Sequence, residues 1–405
     1  MPESSQEHEE PVSATRPSIT STIAADGAAL SSELNALRKT LFPPVSQKML
    51  RSFSSGEAAK LIGVADGYLR QLSLAGRGPS PETGPNNRRL YTLSQINELR
   101  QLLEESPKSK RYVPHRSGEE HCQVLAVVNF KGGSGKTTTA AHLAQYLALR
   151  GYRVLAVDLD PQASLTALHG YQPEFDIDAN QTLYAAIRYD EEQRPLSEVL
   201  RQTYFPGLDL VPGNLELMDY EHDTPKALSK RSSEPFFGRV ATALGSVAEA
   251  YDVIILDCPP QLGFLTLGAL CAATAMIVTV HPQMLDVMSM CQFLLMASEL
   301  LSVVQDSGAD LDYDFLRYVV TRYEPSDGPQ TQMVAFMRSL FRERVLTHTM
   351  LKSTAISDAG LSKQTLYEVG RESFTRMTYD RAIEALDNVN SEIEGLIHQA
   401  WGRTK

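Results

Sequence analysis

The chain has 405 residues, of which 42% are hydrophobic and 21% charged, room for two or three folded units at roughly 150 residues apiece. No run approaches the ~20 consecutive apolar residues of a membrane helix, and the polar start around Glu9 and Glu10 lacks the basic flank and apolar stretch of a secretion signal. A cytoplasmic protein is expected. The four cysteines (Cys122, Cys258, Cys271, Cys291) show no paired spacing, which argues against a zinc site or an iron–sulfur cluster. They read as small buried apolar residues. The net charge of -11 hides an asymmetry, because residues 46–116 carry twelve Lys/Arg against six acids. A basic module joined to an acidic one predicts nucleic-acid contact by the basic part.

Residues 1–24, rich in Ser, Thr, Glu and Pro, are expected to be disordered. Over residues 25–46, Leu30, Leu34, Leu37 and Leu41 recur at helical spacing, and Pro43-Pro44 ends the run. Such a helix either docks on its own domain or makes a dimer contact. Residues 47–103 read as a winged helix-turn-helix, a DNA-binding domain. Ser54 and Glu57 open one helix and Gly63 makes the turn. A second helix from Ala65 then offers Tyr68, Arg70 and Gln71 to a groove. Residues 76–87 are expected to be a loop. Residues 88–93 read as the returning strand of a wing with Arg88 and Arg89 at its tip, and residues 94–103 as a closing helix. Residues 104–121 have linker composition.

In residues 122–405 the texture changes. Apolar runs at 124–129, 154–158, 253–256, 276–280 and 316–320 alternate with helical stretches such as 136–149. That alternation predicts an α/β fold, a doubly wound, mostly parallel sheet.

The segment Lys131-Gly132-Gly133-Ser134-Gly135-Lys136-Thr137-Thr138 lies between such a run and a helix, the setting a phosphate loop requires. Its glycines let backbone N–H groups turn toward phosphate oxygens, and the helix N-terminus adds about half a positive charge. Lys136 is expected on the β- and γ-phosphates of ATP and Thr137 on Mg²⁺. Lys131, a second lysine at the front of the loop, serves either the same nucleotide or one held by a partner subunit. Asp158 and Asp160 end the second strand, where open α/β sheets place their site. By strand alternation both carboxylates are expected on one side, able to bind the metal's waters and orient an attacking water. Asp257 closes the run 253–256 as a Walker B acid that holds Mg²⁺. Cys258, with no histidine near it in sequence, is not read as a nucleophile.

The Lys-Gly-Gly-x-Gly-Lys-Thr pattern over residues 131–137 resembles the deviant Walker A loop of the ParA/MinD ATPases. That resemblance implies that Lys131 crosses a dimer interface to the partner's phosphates, so that ATP binding and homodimerisation are one event. It also implies that Asp160 positions water and that Asp158 stands near the metal. The stretches Asp160-Pro161-Gln162-Ala163-Ser164-Leu165 and Pro212-Gly213-Asn214-Leu215-Glu216-Leu217 are similar to the RepA partition ATPases of RepABC-type plasmids. The likeness runs over about residues 25–400.

It implies a slow, nucleoid-associated ATPase of ParA/SIMIBI type, stimulated by a ParB-like centromere binder, RepB, that also represses its own operon through the winged helix. ATP-bound dimers would coat DNA without sequence preference, with Arg338, Arg342, Arg344 and Lys352 as candidate phosphate contacts. Relatives touch adenine at the position of Thr321-Arg322-Tyr323 and with a proline-containing loop whose counterpart here is Met350-Leu351-Lys352-Ser353. One alternative, a MinD-like membrane cycler, needs a C-terminal amphipathic helix with a basic polar face. The stripe Ile383, Leu386, Val389, Ile393, Leu396 and Ile397 is present, but Glu384, Asp387, Glu392 and Glu394 share its helix. A helix docked on the domain, and no membrane, is therefore expected. The other alternative is a winged-helix regulator with ATP only as a ligand, which would not need Asp160.

Overall fold

A computed structural model describes residues 18–41, 48–84, 87–105, 111–229 and 235–403. The chain divides after Met49 into two compact units. Among the described residues, the first holds the helix α1 (Ile19–Leu41). It begins inside the stretch expected to be disordered, because the Ser18 hydroxyl accepts from the Ser21 N–H at 3.1 Å and caps the first turn. The rest of that stretch, residues 1–17, and Pro43-Pro44 lie outside the described residues.

The second unit begins at Leu50. Its first elements are β1 (Phe53–Ser54), α2 (Ser55–Ile62), α3 (Asp66–Leu74), β2 (Glu82–Gly84), β3 (Arg88–Tyr91) and α4 (Leu93–Glu104). Ser54 and Glu57 form a capping box at α2, and Thr92 and Gln95 form another at α4. Gly63, at φ 79°, ends α2 in the left-handed conformation. The strands pair antiparallel in the order β1-β3-β2. β2 corrects the loop expected over residues 76–87, since Thr83 faces Arg89 and Gly84 faces Arg88 across a hairpin.

The large sheet comprises β4 (Gln123–Val128), β5 (Val154–Asp158), β6 (Arg201–Gln202), β7 (Leu208–Val211), β8 (Val253–Asp257), β9 (Ala275–Val280) and β10 (Phe315–Val320). Its order is β10-β9-β4-β8-β5-β7-β6, and every pair is parallel except β6 with β7. The pleat sends Leu125, Val127, Val154 and Ala156 to one core and Ala126, Val128, Leu155 and Val157 to the other. Each buried valine or leucine among them contributes about 1.5–3 kcal/mol.

The helices that follow β5 and β7 are α6 (Ser164–Leu168), α7 (Pro173–Asp176), α8 (Tyr184–Ile187) and α9 (Leu217–Ser229). Next come α10 (Phe236–Gly245), α11 (Phe264–Ala272), α12 (Met284–Asp306), α13 (Gly328–Phe341), α14 (Thr354–Leu361) and α15 (Arg376–Ala400). α5 (Lys136–Arg150) lies in the first core with α15. α15 buries Leu386, Val389, Ile393 and Ile397 there, so the apolar stripe a membrane-cycling helix would need is packed against the domain.

Two expectations need correction. α12 is 23 residues long with a mean hydropathy of 1.7, enough by length and composition to cross a membrane. Asp286 and Glu299 hide that run from a search for unbroken apolar sequence. In the fold, α12 lays Met290, Phe293, Ala297 and Val304 on the second core. The linker expected over 104–121 is, in its described part, strapped down. Arg116 donates to Ala248 O and Tyr251 O, and Arg403 to Pro114 O and His115 O.

Nor do residues 50–104 form a separate core, since their buried side chains are continuous with those of α5 and α15. Arg100 of α4 is the polar part of that junction. It is 2% exposed and donates to Leu61 O at 3.0 Å and Leu149 O at 2.6 Å, at the C-terminal ends of α2 and α5. One guanidinium thereby satisfies orphan carbonyls of two helices. Burial brings its pKa down to about 9. Gly151, at φ 98°, leaves room for it, as a Cβ there would lie 2.9 Å from Arg100 Nη1. Arg100→Met strands both carbonyls, and charged hydrogen bonds of this kind are worth about 1.5–3 kcal/mol each. Urea denaturation is expected to show a loss of about 3–6 kcal/mol; an unchanged midpoint and slope would refute the brace.

Candidate active site

The C-terminal ends of β4, β8 and β5 lie side by side. Asp257 is in register with Val127 on one flank and with Asp158 on the other. The loop from Asn129 to Gly135 leaves β4 above these two acids. Gly133 and Gly135 take φ values of 76° and 89°, which glycine alone adopts at little cost. The loop is anchored from two neighbouring strands. Asn129 Nδ2 donates to Thr279 O of β9, and its Oδ1 accepts from Lys131 N at 3.1 Å. The Thr321 hydroxyl, beyond β10, donates to Ser134 O at 2.7 Å, and the Ser134 and Thr279 hydroxyls lie 3.1 Å apart. Gly132 is exposed.

Lys136 is buried and its Nζ donates to Lys131 O at 3.2 Å. Burial holds its pKa down, against the pull of Asp257, Cys258 and Asp160. Thr137 and Thr138 follow in the first turn of α5. Both carboxylate oxygens of Asp257 are buried with no hydrogen-bond donor among the described residues. Burial, then the neighbouring Asp158, raises its pKa well above the carboxylate range, while Thr137 and Lys136 oppose the shift. An orphaned buried carboxylate beside a phosphate loop, a threonine hydroxyl and a lysine fits a divalent cation with a polyphosphate. Cys258 is fully buried and its thiol pKa is pushed far up, chiefly by burial, so it is no nucleophile at neutral pH.

Asp158 is held by three donors. Its Oδ2 accepts from Thr166 N at 2.8 Å and Thr166 Oγ1 at 2.7 Å, and its Oδ1 from Asp160 N at 3.2 Å. Burial raises its pKa to about 7. Its oxygens hold the turn into α6, and the charge of Asp160 acts on it as well. Asp160 is half-buried, with Oδ1 accepting from Gln162 N at 2.9 Å.

Lys131 Nζ lies 2.6 Å from Oδ2 of Asp286, a buried residue of α12 that the sequence reading had not singled out. Arg322 donates to Gly133 O at 3.2 Å. The two stretches expected near adenine do lie together, with Tyr323 bridged to Leu351 and Lys352 N donating to Tyr323 O.

The basic cluster splits. Lys352 pairs with Glu324 at 2.8 Å. Arg338 and Arg342 instead line a cleft of about 780 Å³ with Arg317, His348 and Glu392, while Arg344 sits over the Phe341 ring. Arg317, on β10, carried no signal because it interrupts a strand. Arg70 and Gln71 are exposed on α3. Tyr68 is half-buried against the core and offers less than its full ring. Arg88 is exposed and Arg89 half-buried on β3.

A family model described as an AAA domain matches residues 122–307. The chain is 57% identical over 378 residues to "Putative replication protein A" of Rhizobium rhizogenes, covering 93% of this chain and 94% of that one. It is 31% identical over 369 residues to Protein SopA of Escherichia coli, covering 88% and 92%. A solved structure named "Partition Protein" shares the fold at a TM-score of 0.65, with 17% identity over 94% of this chain and 99% of that chain. A P-loop fold with two loop lysines and relatives of this kind define the class: the chain belongs to the ParA/MinD family of P-loop ATPases. Its near relatives within that family are the RepA proteins of rhizobial plasmids.

A carboxyl whose folded pKa lies above its unfolded value stabilises fully below the unfolded value, and that contribution is lost as pH rises through the folded one. With Asp158 raised from 3.8 to about 7 and Asp257 raised beside it, the nucleotide-free chain loses stability over that interval. Asp257→Asn removes one buried charge. It is expected to raise the melting temperature at pH 8, to raise it less at pH 5, and to abolish further stabilisation by Mg-nucleotide. A lower melting temperature at pH 8 would contradict this account.

Proposed function

We propose that the chain is a ParA-type ATPase that drives plasmid partition by ATP-dependent homodimerisation, non-specific DNA binding and slow hydrolysis. The observation that carries the reading is the orphaned Asp257 carboxylate beneath a loop that offers Lys136 and Thr137 to one side and Lys131 to another.

The amides of Gly132, Gly133, Ser134 and Gly135 hold the phosphates, Lys136 neutralises the β- and γ-oxygens, and Thr137 and Asp257 hold Mg²⁺. The metal, when bound, would supply neutralisation of the negative charge on the β- and γ-phosphates. Thr138 extends the cradle at the helix N-terminus. Asp160 orients the attacking water, and Asp158 fixes the turn that carries Asp160. The segments around Thr321 and Met350 border the base.

Residues 47–103 act as a winged helix on operator DNA and support autorepression, with Arg70, Gln71, Arg88 and Arg89 as contacts and Tyr68 at the edge. Arg338 and Arg342 meet DNA phosphates in the ATP state. Lys352 serves that surface only after leaving Glu324. α1 is a candidate dimer contact. A ParB-like partner, RepB, stimulates turnover, and the cycle runs in the cytoplasm on the nucleoid.

The test is sedimentation and gel shift of the full chain with Mg-ATP. The wild type is expected to dimerise and bind DNA, Lys131→Ala to stay monomeric, and Asp160→Ala to persist as a DNA-bound dimer. If all three bind DNA identically with and without ATP, the chain is a winged-helix regulator with a nucleotide-binding appendage. A second expectation concerns the cleft. Arg338→Ala with Arg342→Ala should lower ATP-dependent DNA affinity and flatten its salt dependence by up to about two units of slope. An unchanged slope removes both residues from the DNA surface.

A further inference from the structure

β10 is an edge strand of the large sheet, and the cleft of about 780 Å³ opens beside its Arg317. Small-molecule sites occupy clefts of roughly 300–1,000 Å³. The walls come from separate elements. Arg317 belongs to β10, Arg338 to α13, Arg342 to the turn after α13, and Asn388 and Gln399 to α15. None of the lining residues belongs to the phosphate loop. That loop lies at the C-terminal ends of parallel strands, whereas Arg317 is in the first half of its strand.

The walls are fixed. Glu392 of α15 accepts from Thr347 N at 2.7 Å and His348 N at 3.0 Å, and its Oε2 lies 2.9 Å from His348 Nδ1. Arg338 Nη2 donates to Thr347 O at 2.7 Å. Residues 347 and 348 are thereby clamped between α13 and α15. Arg342 has a left-handed backbone, φ 50°, which residues other than glycine rarely adopt. Its N–H donates to Arg338 O, and its carbonyl accepts from Val345 N at 3.1 Å. Strain held from both sides in this way concentrates at ligand sites.

The charge inside is unbalanced. No carboxylate among the described residues lies within ion-pair distance of Arg317, Arg338 or Arg342, and Glu392 is engaged by Thr347 and His348. Arg317 is half-buried, and its Nη1 donates to the carbonyl of Leu316 at 2.9 Å. Burial holds its pKa below the ordinary guanidinium value, against the charges of Glu343 and Glu392. A cation withdrawn from water without a counter-ion is costly. Duplex phosphates lie on a convex backbone, one charge apiece. They account for Arg338 and Arg342, which are exposed, and not for Arg317 between them and the sheet. A compact anion with adjacent phosphoryl groups presents acceptors in several directions, each matched to the planar fork of a guanidinium.

We propose that this cleft is an anion site separate from the nucleotide pocket, which binds a small ligand with adjacent phosphoryl groups between Arg317, Arg338 and Arg342. Asn388 and Gln399 supply neutral polar groups from the α15 side. The site holds whether or not the two exposed arginines also meet DNA.

The test is isothermal titration calorimetry of the full chain with inorganic pyrophosphate, the nucleotide pocket being saturated with Mg-ADP. Pyrophosphate is expected to bind the wild type, and to bind Lys136→Ala without nucleotide within about twofold as well, although that variant's phosphate loop is disabled. Arg317→Ala and Arg342→Gly are each expected to weaken pyrophosphate by about tenfold or more, while ADP affinity stays within about twofold of wild type. Arg342→Gly also relieves the strained backbone, so it keeps the test sound where loss of Arg317 unfolds β10. No binding to the ADP-saturated wild type, affinity that survives both substitutions, affinity that vanishes in Lys136→Ala, or sulfate competing as well as pyrophosphate would overturn the proposal. If both arginine variants lose ATP-dependent DNA binding while the wild type takes up no pyrophosphate, the cleft is a DNA surface alone and the proposal falls.

Discussion

The structure turns on two carboxylates, Asp158 and Asp257, set opposite each other at the ends of adjacent parallel strands and fully buried. Like charges directly opposite in a sheet repel, and neither has a basic ion-pair partner among the described residues. The fold resolves the conflict asymmetrically. Asp158 is given three donors, two from Thr166 and one from the Asp160 backbone, while Asp257 is given none. The first becomes part of the scaffold, and Thr166 passes the restraint on to Gly213 N through its hydroxyl. The second is left to a proton or to a cation arriving from outside, with Thr137 and Lys136 beside it. Local instability at the mouth of the sheet is thus the counterpart of ligand affinity there.

α5 connects that mouth to the rest of the molecule. Its first residue, Lys136, is in the phosphate loop, and its next-to-last, Leu149, accepts from Arg100 of α4. Nearly every residue between is buried, so the helix is held along its length and at both ends. A rigid element between a phosphate cradle and a candidate DNA module is the physical requirement for one to sense the other, and α2 is tied to the same guanidinium through Leu61.

Much of this was legible in sequence, for reasons that differ by element. β4, β5, β8, β9 and β10 are buried on both faces and so read as continuous apolar runs, and the loop between β4 and α5 is constrained residue by residue by phosphate chemistry. What failed to show lacked such a constraint. β6 and β7 are two and four residues long, too short for periodicity to register. β2 carries Thr83 and Gly84 in a stretch dense with turn formers, and only pairing to β3 makes it a strand. Alternation along β5 fixes the direction of Asp158 but is silent on Thr166 and the Asp160 backbone, which also bond its carboxylate. Asp286 and Arg317 looked like interruptions of apolar runs. Asp286 pairs with Lys131, far off in the chain, while Arg317 rests on its own neighbours, Leu316 O and the Phe315 ring, and no local pattern announces the cleft it lines.

The cations around the loop have one property in common. Lys136 rests on Lys131 O, Lys131 on Asp286, Arg322 on Gly133 O and Lys352 on Glu324. Each is held by a single partner within its own chain, and three of the four hold or pin the loop itself. A ligand therefore does not have to freeze four long side chains from solution, which would cost about 0.5–1.5 kcal/mol apiece. It exchanges one partner for a better one. The exchange is most favourable for the groups with the weakest present partner, a backbone carbonyl, which are Lys136 and Arg322. It is least favourable for Lys131, which must leave a buried carboxylate, and Asp286 would then be left without its cation. Departure of Lys131 is thus the costly step, and it calls for an incoming charge as strong as a triphosphate or for a neighbour that replaces the lysine at Asp286. On this reasoning the Lys131–Asp286 pair sets the threshold for freeing Lys131 toward a ligand, while the loop and Asp257 supply the affinity that overcomes it.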